Sequence, residues 1–168
     1  MASLLKEFSL AIGLLASDHA PVALKEGWTG YVWKIRSVAQ CMGAAADCTM
    51  QRGKWDWKRD ERYSYGARLN PRDNRIDTRI VLDNRDPSDA DHVCVAAVYY
   101  DRSGVEVAVD FAVVYSLPGK VTEKLATLKP SRPVSTIDQV AIGTKQCDPD
   151  ASADIALSRS LKARLKQK

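Results

Sequence analysis

The residues that could carry out acid–base chemistry are few and stand far apart in the sequence. We nominate only Asp101, Asp110 and His92, because general acid–base catalysis needs titratable groups that converge on one site. Each has a structural interpretation as well: Asp101 starts a turn, Asp110 faces solvent on a strand, and His92 opens a strand. The sequence has no glycine-rich phosphate loop, GxSxG turn, HExxH helix or dinucleotide fingerprint. We therefore expect a protein without catalytic activity.

The four cysteines offer a second kind of chemistry. Cys41 and Cys48 can close a small loop in an oxidising compartment, and Cys94 and Cys147 would then be the remaining pair. A buried thiol is an equally ordinary interpretation for Cys94, which lies in the most apolar stretch. The spacing is not CxxC and the chain has only two histidines, so we expect no zinc site, no other metal and no cofactor.

The stretch from Gln51 to Tyr65 alternates aromatic and charged residues. One interpretation is that the rings fill a sandwich core while the charges face water. The other is an aromatic and basic surface, of the type that stacks on nucleobases, sugars or a partner's hot spot. In that second interpretation the partner-binding residues are Trp55, Trp57, Lys58, Arg59, Arg62 and Tyr63.

The end of the chain predicts a basic amphipathic helix. Leu157, Leu161 and Leu165 lie four residues apart and form a narrow apolar stripe. Four cations surround the stripe: Arg159, Lys162, Arg164 and Lys166. The helix either docks on the rest of the protein, or it forms a basic arm that binds the phosphates of a nucleic acid.

Strands must position these residues, and the clearest are in the middle of the chain. The run from Thr78 to Asp83 is β-branched and aliphatic, which predicts a strand. The run from His92 to Tyr100 has apolar residues at both odd and even positions, which predicts a strand covered on both sides. Residues Val105 to Tyr115 alternate, with Glu106 and Asp110 on the polar face, which predicts a half-buried strand. A hairpin of this kind needs a second layer, so we predict a β-sandwich.

Flanking segments complete the prediction of one domain over residues 1–168. Residues 1–20 form either an N-terminal helix or a degenerate secretion signal. We assign residues 28–142 to the sandwich and residues 143–168 to a loop followed by the basic helix. Tyr31 to Cys41 predicts a strand, Lys120 to Leu128 a strand or a short helix, and Val134 to Ile142 a closing strand. No run is long enough and apolar enough to span a membrane.

The central hairpin resembles a known family over about 45 of the 168 residues. Asn84 follows a strand, an apolar strand ends in Tyr99-Tyr100-Asp101-Arg102-Ser103-Gly104, and Leu117-Pro118-Gly119 follows the next strand. This pattern is similar to the FxLYD-type immunoglobulin-like domains of bacterial envelope proteins. The resemblance implies a secreted or periplasmic binding or structural module without catalysis. The tryptophan-rich first third and the basic terminal helix have no counterpart in that family.

The sequence therefore predicts a mainly β, immunoglobulin-like sandwich with an N-terminal helix and a C-terminal basic helix. Its expected function is that of a non-catalytic protein-binding module, such as an inhibitor, an immunity-type protein or an envelope accessory protein. The alternative is a nucleic-acid-binding or capsid-like sandwich that uses its basic terminal arm. The resemblance implies a periplasmic or secreted location. If residues 1–20 form a helix that is retained, we expect a cytoplasmic location instead. The sequence does not indicate an oligomeric state.

Overall fold

The computed structural model describes residues 27–45, 48–56 and 60–167. Within these residues the chain forms eight strands, which are β1 (Val32–Ser37), β2 (Cys48–Asp56), β3 (Glu61–Asn70), β4 (Arg75–Asn84), β5 (Asp91–Asp101), β6 (Glu106–Ser116), β7 (Val121–Leu128) and β8 (Ile137–Gln146). Helix α1 spans Ser152–Lys166, and single 3-10 turns cover Ala39–Cys41 and Val134–Thr136. The predicted N-terminal helix lies outside the described residues. No helix among the described residues is long and apolar enough to cross a membrane.

The strands form two antiparallel sheets of four strands each, as expected of the predicted β-sandwich. The first sheet has the order β1-β8-β5-β6, and the second has the order β2-β3-β4-β7. Buried side chains of both sheets meet in one core, which includes Tyr65 and Leu82 from the second sheet and Val95 and Val140 from the first. Burial of this apolar surface is the main favourable term that holds the two sheets together.

Strand β5 is buried on both faces, which confirms the prediction made from its two apolar parities. Val95 and Ala97 face the core between the sheets, whereas Ala96 and Val98 face a second apolar cluster. That cluster is built by α1, through Leu161 and Leu165, and by Trp28. The terminal helix is therefore docked on the first sheet and does not extend as an arm.

Strand β6 departs from the predicted single apolar face because it contains a β-bulge. Tyr99 is opposite Ala108, but the next residue of β5 is opposite Glu106, so one residue of β6 is extra. A bulge reverses the parity of the strand beyond it. Val109 consequently faces α1, while Asp110, expected at the surface, points into the core and is only 4% exposed.

Both cysteine pairs that the sequence left open as possible disulfides are bonded in the structure. Cys41 is bonded to Cys48, and Cys94 is bonded to Cys147, which leaves no free cysteine. The first bond joins two cysteines that are 7 positions apart in sequence, beside the 3-10 turn after β1. The second joins the outer face of β5 to the segment between β8 and α1, and its two cysteines are 53 positions apart.

Candidate partner-binding cleft

The three nominated acid–base residues do not converge. His92 and Asp101 lie at opposite ends of β5, which in an extended strand places them about 30 Å apart. The imidazole of His92 is half-buried and stacks on Tyr115, with ring centroids 4.6 Å apart. Asp110 lies opposite Ala97 inside the core. No two of these residues can act on the same substrate atom.

Asp101 is the turn residue that the sequence predicts. Its Oδ1 accepts hydrogen bonds from the backbone N–H groups of Ser103 and Val105, both at 2.9 Å, and Gly104 has a φ of 73° in the turn. The guanidinium of Arg132 binds the other carboxylate oxygen. Burial raises the pKa of Asp101, but these hydrogen bonds and the charge of Arg132 outweigh burial, so the pKa is lowered.

Asp110 belongs to a polar cluster enclosed by the two sheets. The hydroxyl of Tyr65 donates a hydrogen bond to Asp110 Oδ2 at 3.2 Å and lies 2.9 Å from the hydroxyl of Tyr99. Burial raises the pKa of Tyr65 and of Tyr99 well above the usual value for tyrosine. Because both rings are fully buried, the cluster satisfies polar atoms in the core and is closed to any substrate.

A cleft opens along one side of the sandwich, where the edge strands β1 and β2 belong to different sheets. Its volume is about 950 Å³. Four basic residues and, among the described residues, no acidic one line this opening. The cations are Lys34, Arg52, Lys54 and Lys145. Basic residues of both sheets therefore border the same opening.

Two of the four cations are not engaged by a carboxylate within the described part of the chain. Lys54 forms an ion pair with Asp60 at 3.0 Å, and Lys145 forms one with Asp154 at 2.9 Å. Hydrogen bonds from Arg62 and from Lys54 hold the pKa of Asp60 at about 2. Two cations of the lining, Lys34 and Arg52, are exposed and have no such partner.

Neutral polar and aromatic groups complete the cleft. The hydroxyl of Tyr63 forms hydrogen bonds with Gln51 and Thr144, and burial of the phenol is the main reason that the pKa of Tyr63 is raised. Trp55 is half-buried against the core, and its indole N–H donates to the carboxylate of Glu61 at the start of β3. An aromatic and hydrogen-bonding wall thus lies beside the cations.

The aromatic stretch is a hairpin of β2 and β3, so the predicted binding residues do not share one surface. Trp55 and Tyr63 line the cleft, and Tyr63 is buried at 7% exposure. Arg62 is exposed on the outer face of the second sheet. The other predicted residues, Trp57, Lys58 and Arg59, lie outside the described residues. Side chains alternate along a strand, which is why neighbours such as Arg62 and Tyr63 point to opposite faces.

Sequence reasoning missed Lys34, Arg52 and Lys145 as members of one site. These residues come from β1, β2 and β8, and only the pairing of β1 with β8 brings the first and the last together. The available signal was the alternation of the apolar residues Trp33 and Ile35 with Lys34 and Arg36 in a short strand. Lysine is frequent on edge strands.

The cations predicted for nucleic acid lie on the surface of the docked helix. Arg164 lies 3.7 Å from the carboxylate of Glu106, and Arg159 is exposed. Lys162 and Lys166 line a shallow groove together with Lys129. This groove also contains no carboxylate in its lining.

The described residues contain no cluster of three potential metal ligands. No protein-family model matches the chain, and no curated protein shows significant sequence similarity to it.

Proposed function

We propose that this protein is a non-catalytic binding module that holds an acidic segment of another protein in the basic cleft. The observation that carries the proposal is the lining of the cleft, in which the described residues include four basic ones and no acidic one, beside a tryptophan and a tyrosine. A concave site with walls of low dielectric concentrates the field of its charges and attracts a partner of opposite sign. Aromatic residues and arginine are also the side chains most enriched in protein-binding hot spots.

Two features distinguish this cleft from an ordinary solvated surface. No carboxylate of the described residues pairs with Lys34 or Arg52, so an acidic ligand can form an ion pair with either. Tyr63 and Trp55 are held in place by hydrogen bonds to other parts of the protein, so little side-chain entropy is lost when a partner packs on them.

The immunoglobulin-like relation and a secreted or periplasmic location are part of this proposal. They are supported by the two-sheet architecture and by the two disulfides, which persist in oxidising compartments. The strand order differs from that of an immunoglobulin domain. Strands β1 and β2 lie in different sheets here, whereas the first two strands of an immunoglobulin domain lie in the same sheet. The relation is therefore proposed for the layered architecture alone.

The test is the affinity for a fluorescein-labelled poly-glutamate peptide, measured by anisotropy at 50 mM salt. The double variant Lys34→Ala/Arg52→Ala should bind on the order of tenfold more weakly, because each lost contact is worth up to about 1 kcal/mol. A matched control, Lys120→Ala/Lys124→Ala, removes the same charge from the opposite side of the sandwich and should bind as the unchanged protein does. Equal losses in both double variants would show that only net charge matters.

The groove beside α1 supports a second candidate function, which is nucleic-acid binding. Lys129, Lys162 and Lys166 line it without an acid, and phosphate contacts of this type make affinity fall steeply with salt. In this case a labelled oligouridylate should bind, and Lys162→Ala/Lys166→Ala should abolish the binding. Retention of oligouridylate by that variant would remove the candidate.

A further inference from the structure

Among the described residues, strand β1 is the last strand of the first sheet, and one hydrogen bond shows which of its backbone groups face away from β8. The backbone N–H of Val38 donates to the carbonyl of Asp138 at 3.0 Å. In the register of β1 with β8, Val38 continues the series of Arg36 and Lys34. Residues of that series point their N–H and C=O groups at β8, so Ile35 and the other residues between them point theirs away from the sheet.

The free edge is accessible. The guanidinium of Arg36 folds back and donates to the carbonyl oxygen of Ile35 at 2.9 Å, as expected of a carbonyl that lacks a partner strand. The side chains of Val32 and Ile35 are 65% and 37% exposed. No described strand lies beyond β1 in the first sheet. Within the described part of the chain, the edge thus presents the N–H and C=O of Trp33 and the N–H of Ile35 to solvent, next to the basic cleft, while the Ile35 carbonyl is reached by Arg36 alone.

We infer that the partner's acidic segment binds as an extended strand, adding to the free edge of β1 as a fifth strand of the first sheet. This inference rests on the proposed function and specifies how the cleft is used. Addition of a strand to an exposed sheet edge is a common mode of peptide recognition, in which main-chain hydrogen bonds supply affinity and alternate side chains supply specificity. Here the charge of the cleft selects the occupant.

The two faces of β1 define the pattern of the bound segment. Lys34 and Arg36 share the face of β1 that borders the cleft, and the strand β2 forms the opposite border. Trp33 and Ile35 share the opposite face, where Trp33 packs over Gly143. Since residues of an added strand lie beside residues of the same face, the segment should alternate acidic and apolar residues over about five positions.

The other free edges fit such a segment less well. Strand β2 is interrupted by two register shifts, which disturb the row of backbone groups. Strand β7 carries Glu123, which is engaged by Arg79 on the outer face and would repel an acid. Strand β6, the other edge of the first sheet, contains a β-bulge. Of the four edges among the described residues, only β1 combines a regular row with an adjacent lysine that no described carboxylate engages.

The first test uses two blocked peptides of equal composition, an alternating Glu-Val heptamer and a block heptamer with all glutamates first. The alternating peptide should bind at least tenfold more tightly. It should also slow amide hydrogen exchange at Trp33 and Ile35 at least tenfold, as followed by NMR. Exchange at Leu125 on β7 serves as the control and should not change.

The second test removes the hydrogen bonds from the peptide and so does not depend on the folding of a variant. Only one parity of an added strand points its N–H groups at β1. N-methylation of either all valines or all glutamates should therefore abolish binding, while methylation of the other set should be tolerated. The variant Ile35→Pro, which removes an N–H from a free edge where proline is tolerated, should weaken binding to the same degree.

The possible outcomes separate this inference from the function on which it rests. If both heptamers bind equally and no amide of β1 is protected, strand addition is wrong and capture of acidic chains stands. If no acidic peptide binds, both are wrong. Protection of Trp33 and Ile35 by oligouridylate, or by self-association of the protein without peptide, would also overturn the inference, because the occupant would then be a nucleic acid or a second copy.

Discussion

The buried tyrosines show how a single residue's surroundings set a property of the whole fold. Tyr65 and Tyr99 lie in the core with Asp110, and burial raises both of their pKa values. Below pH 10 these phenols are neutral in the folded and in the unfolded chain, so their full contribution to stability is present. Above pH 10 only the unfolded chain ionises them, and stability falls.

We expect the free energy of unfolding to decrease by about 1.4 kcal/mol per pH unit above pH 10 for each of these two tyrosines. Urea denaturation between pH 9 and pH 11 measures this slope. The variant Tyr65→Phe should have a smaller slope, whereas Tyr115→Phe, which changes an exposed ring, should keep it. A slope that is unaffected by Tyr65→Phe would show that other groups govern alkaline unfolding.

Some residue roles can be predicted from sequence and others cannot. The turn role of Asp101 follows from its place between two apolar runs, because Asp side chains accept hydrogen bonds from the backbone of a turn. The burial of Asp110 does not follow, because one extra residue in β6 reverses the parity of every side chain beyond it. Nothing in the run from Val105 to Tyr115 marks where that residue is inserted.

Among the elements, α1 is held by its leucine stripe. Leu161 is buried against the outer face of β5, while Arg159 on the same helix is exposed. Leu161→Ala should therefore lower the free energy of unfolding by about 2–5 kcal/mol, through lost burial and the cavity left behind. Arg159→Ala should change it by less than about 0.5 kcal/mol. Chemical denaturation compares the two variants, and equal effects would contradict the docking of α1.

The two disulfides should differ in their contribution because they close loops of different length. Removing the Cys94–Cys147 bond by alanine substitution should cost about 4 kcal/mol, and removing the Cys41–Cys48 bond about 2 kcal/mol, in a chain-entropy treatment. Urea midpoints of the two double variants give the comparison. Quantification of free thiols in the denatured, unreduced protein is the control, and a value above zero would contradict both bonds.

Elements with a local signature are predictable, whereas their partners are not. The double apolar parity of β5 and the leucine spacing of α1 are written in consecutive residues. The pairing of β1 with β8 joins segments about a hundred residues apart, and no local pattern encodes it. The same limit explains why the stretch from Gln51 to Tyr65 shows its aromatic alternation but not the turn that divides it into two strands.

At the scale of the whole molecule, the cleft is a product of the sandwich architecture. One side of the first sheet is covered by α1, and the core between the sheets is filled, which leaves edges and outer faces for recognition. Strands β1, β2 and β8, which are distant in sequence, contribute Lys34, Arg52 and Lys145 to the border of one opening. The overall charge of +4 is small, so the placement of the cations matters more than their number.

The most direct measurement is to locate a bound acidic chain by photo-crosslinking. A poly-glutamate peptide that carries a benzophenone group is irradiated with the full-length protein, and the adducts are mapped by mass spectrometry. The account predicts adducts within β1 and β2, at residues that border the cleft, and their loss in Lys34→Ala/Arg52→Ala. Adducts confined to α1 or to β7 would contradict it.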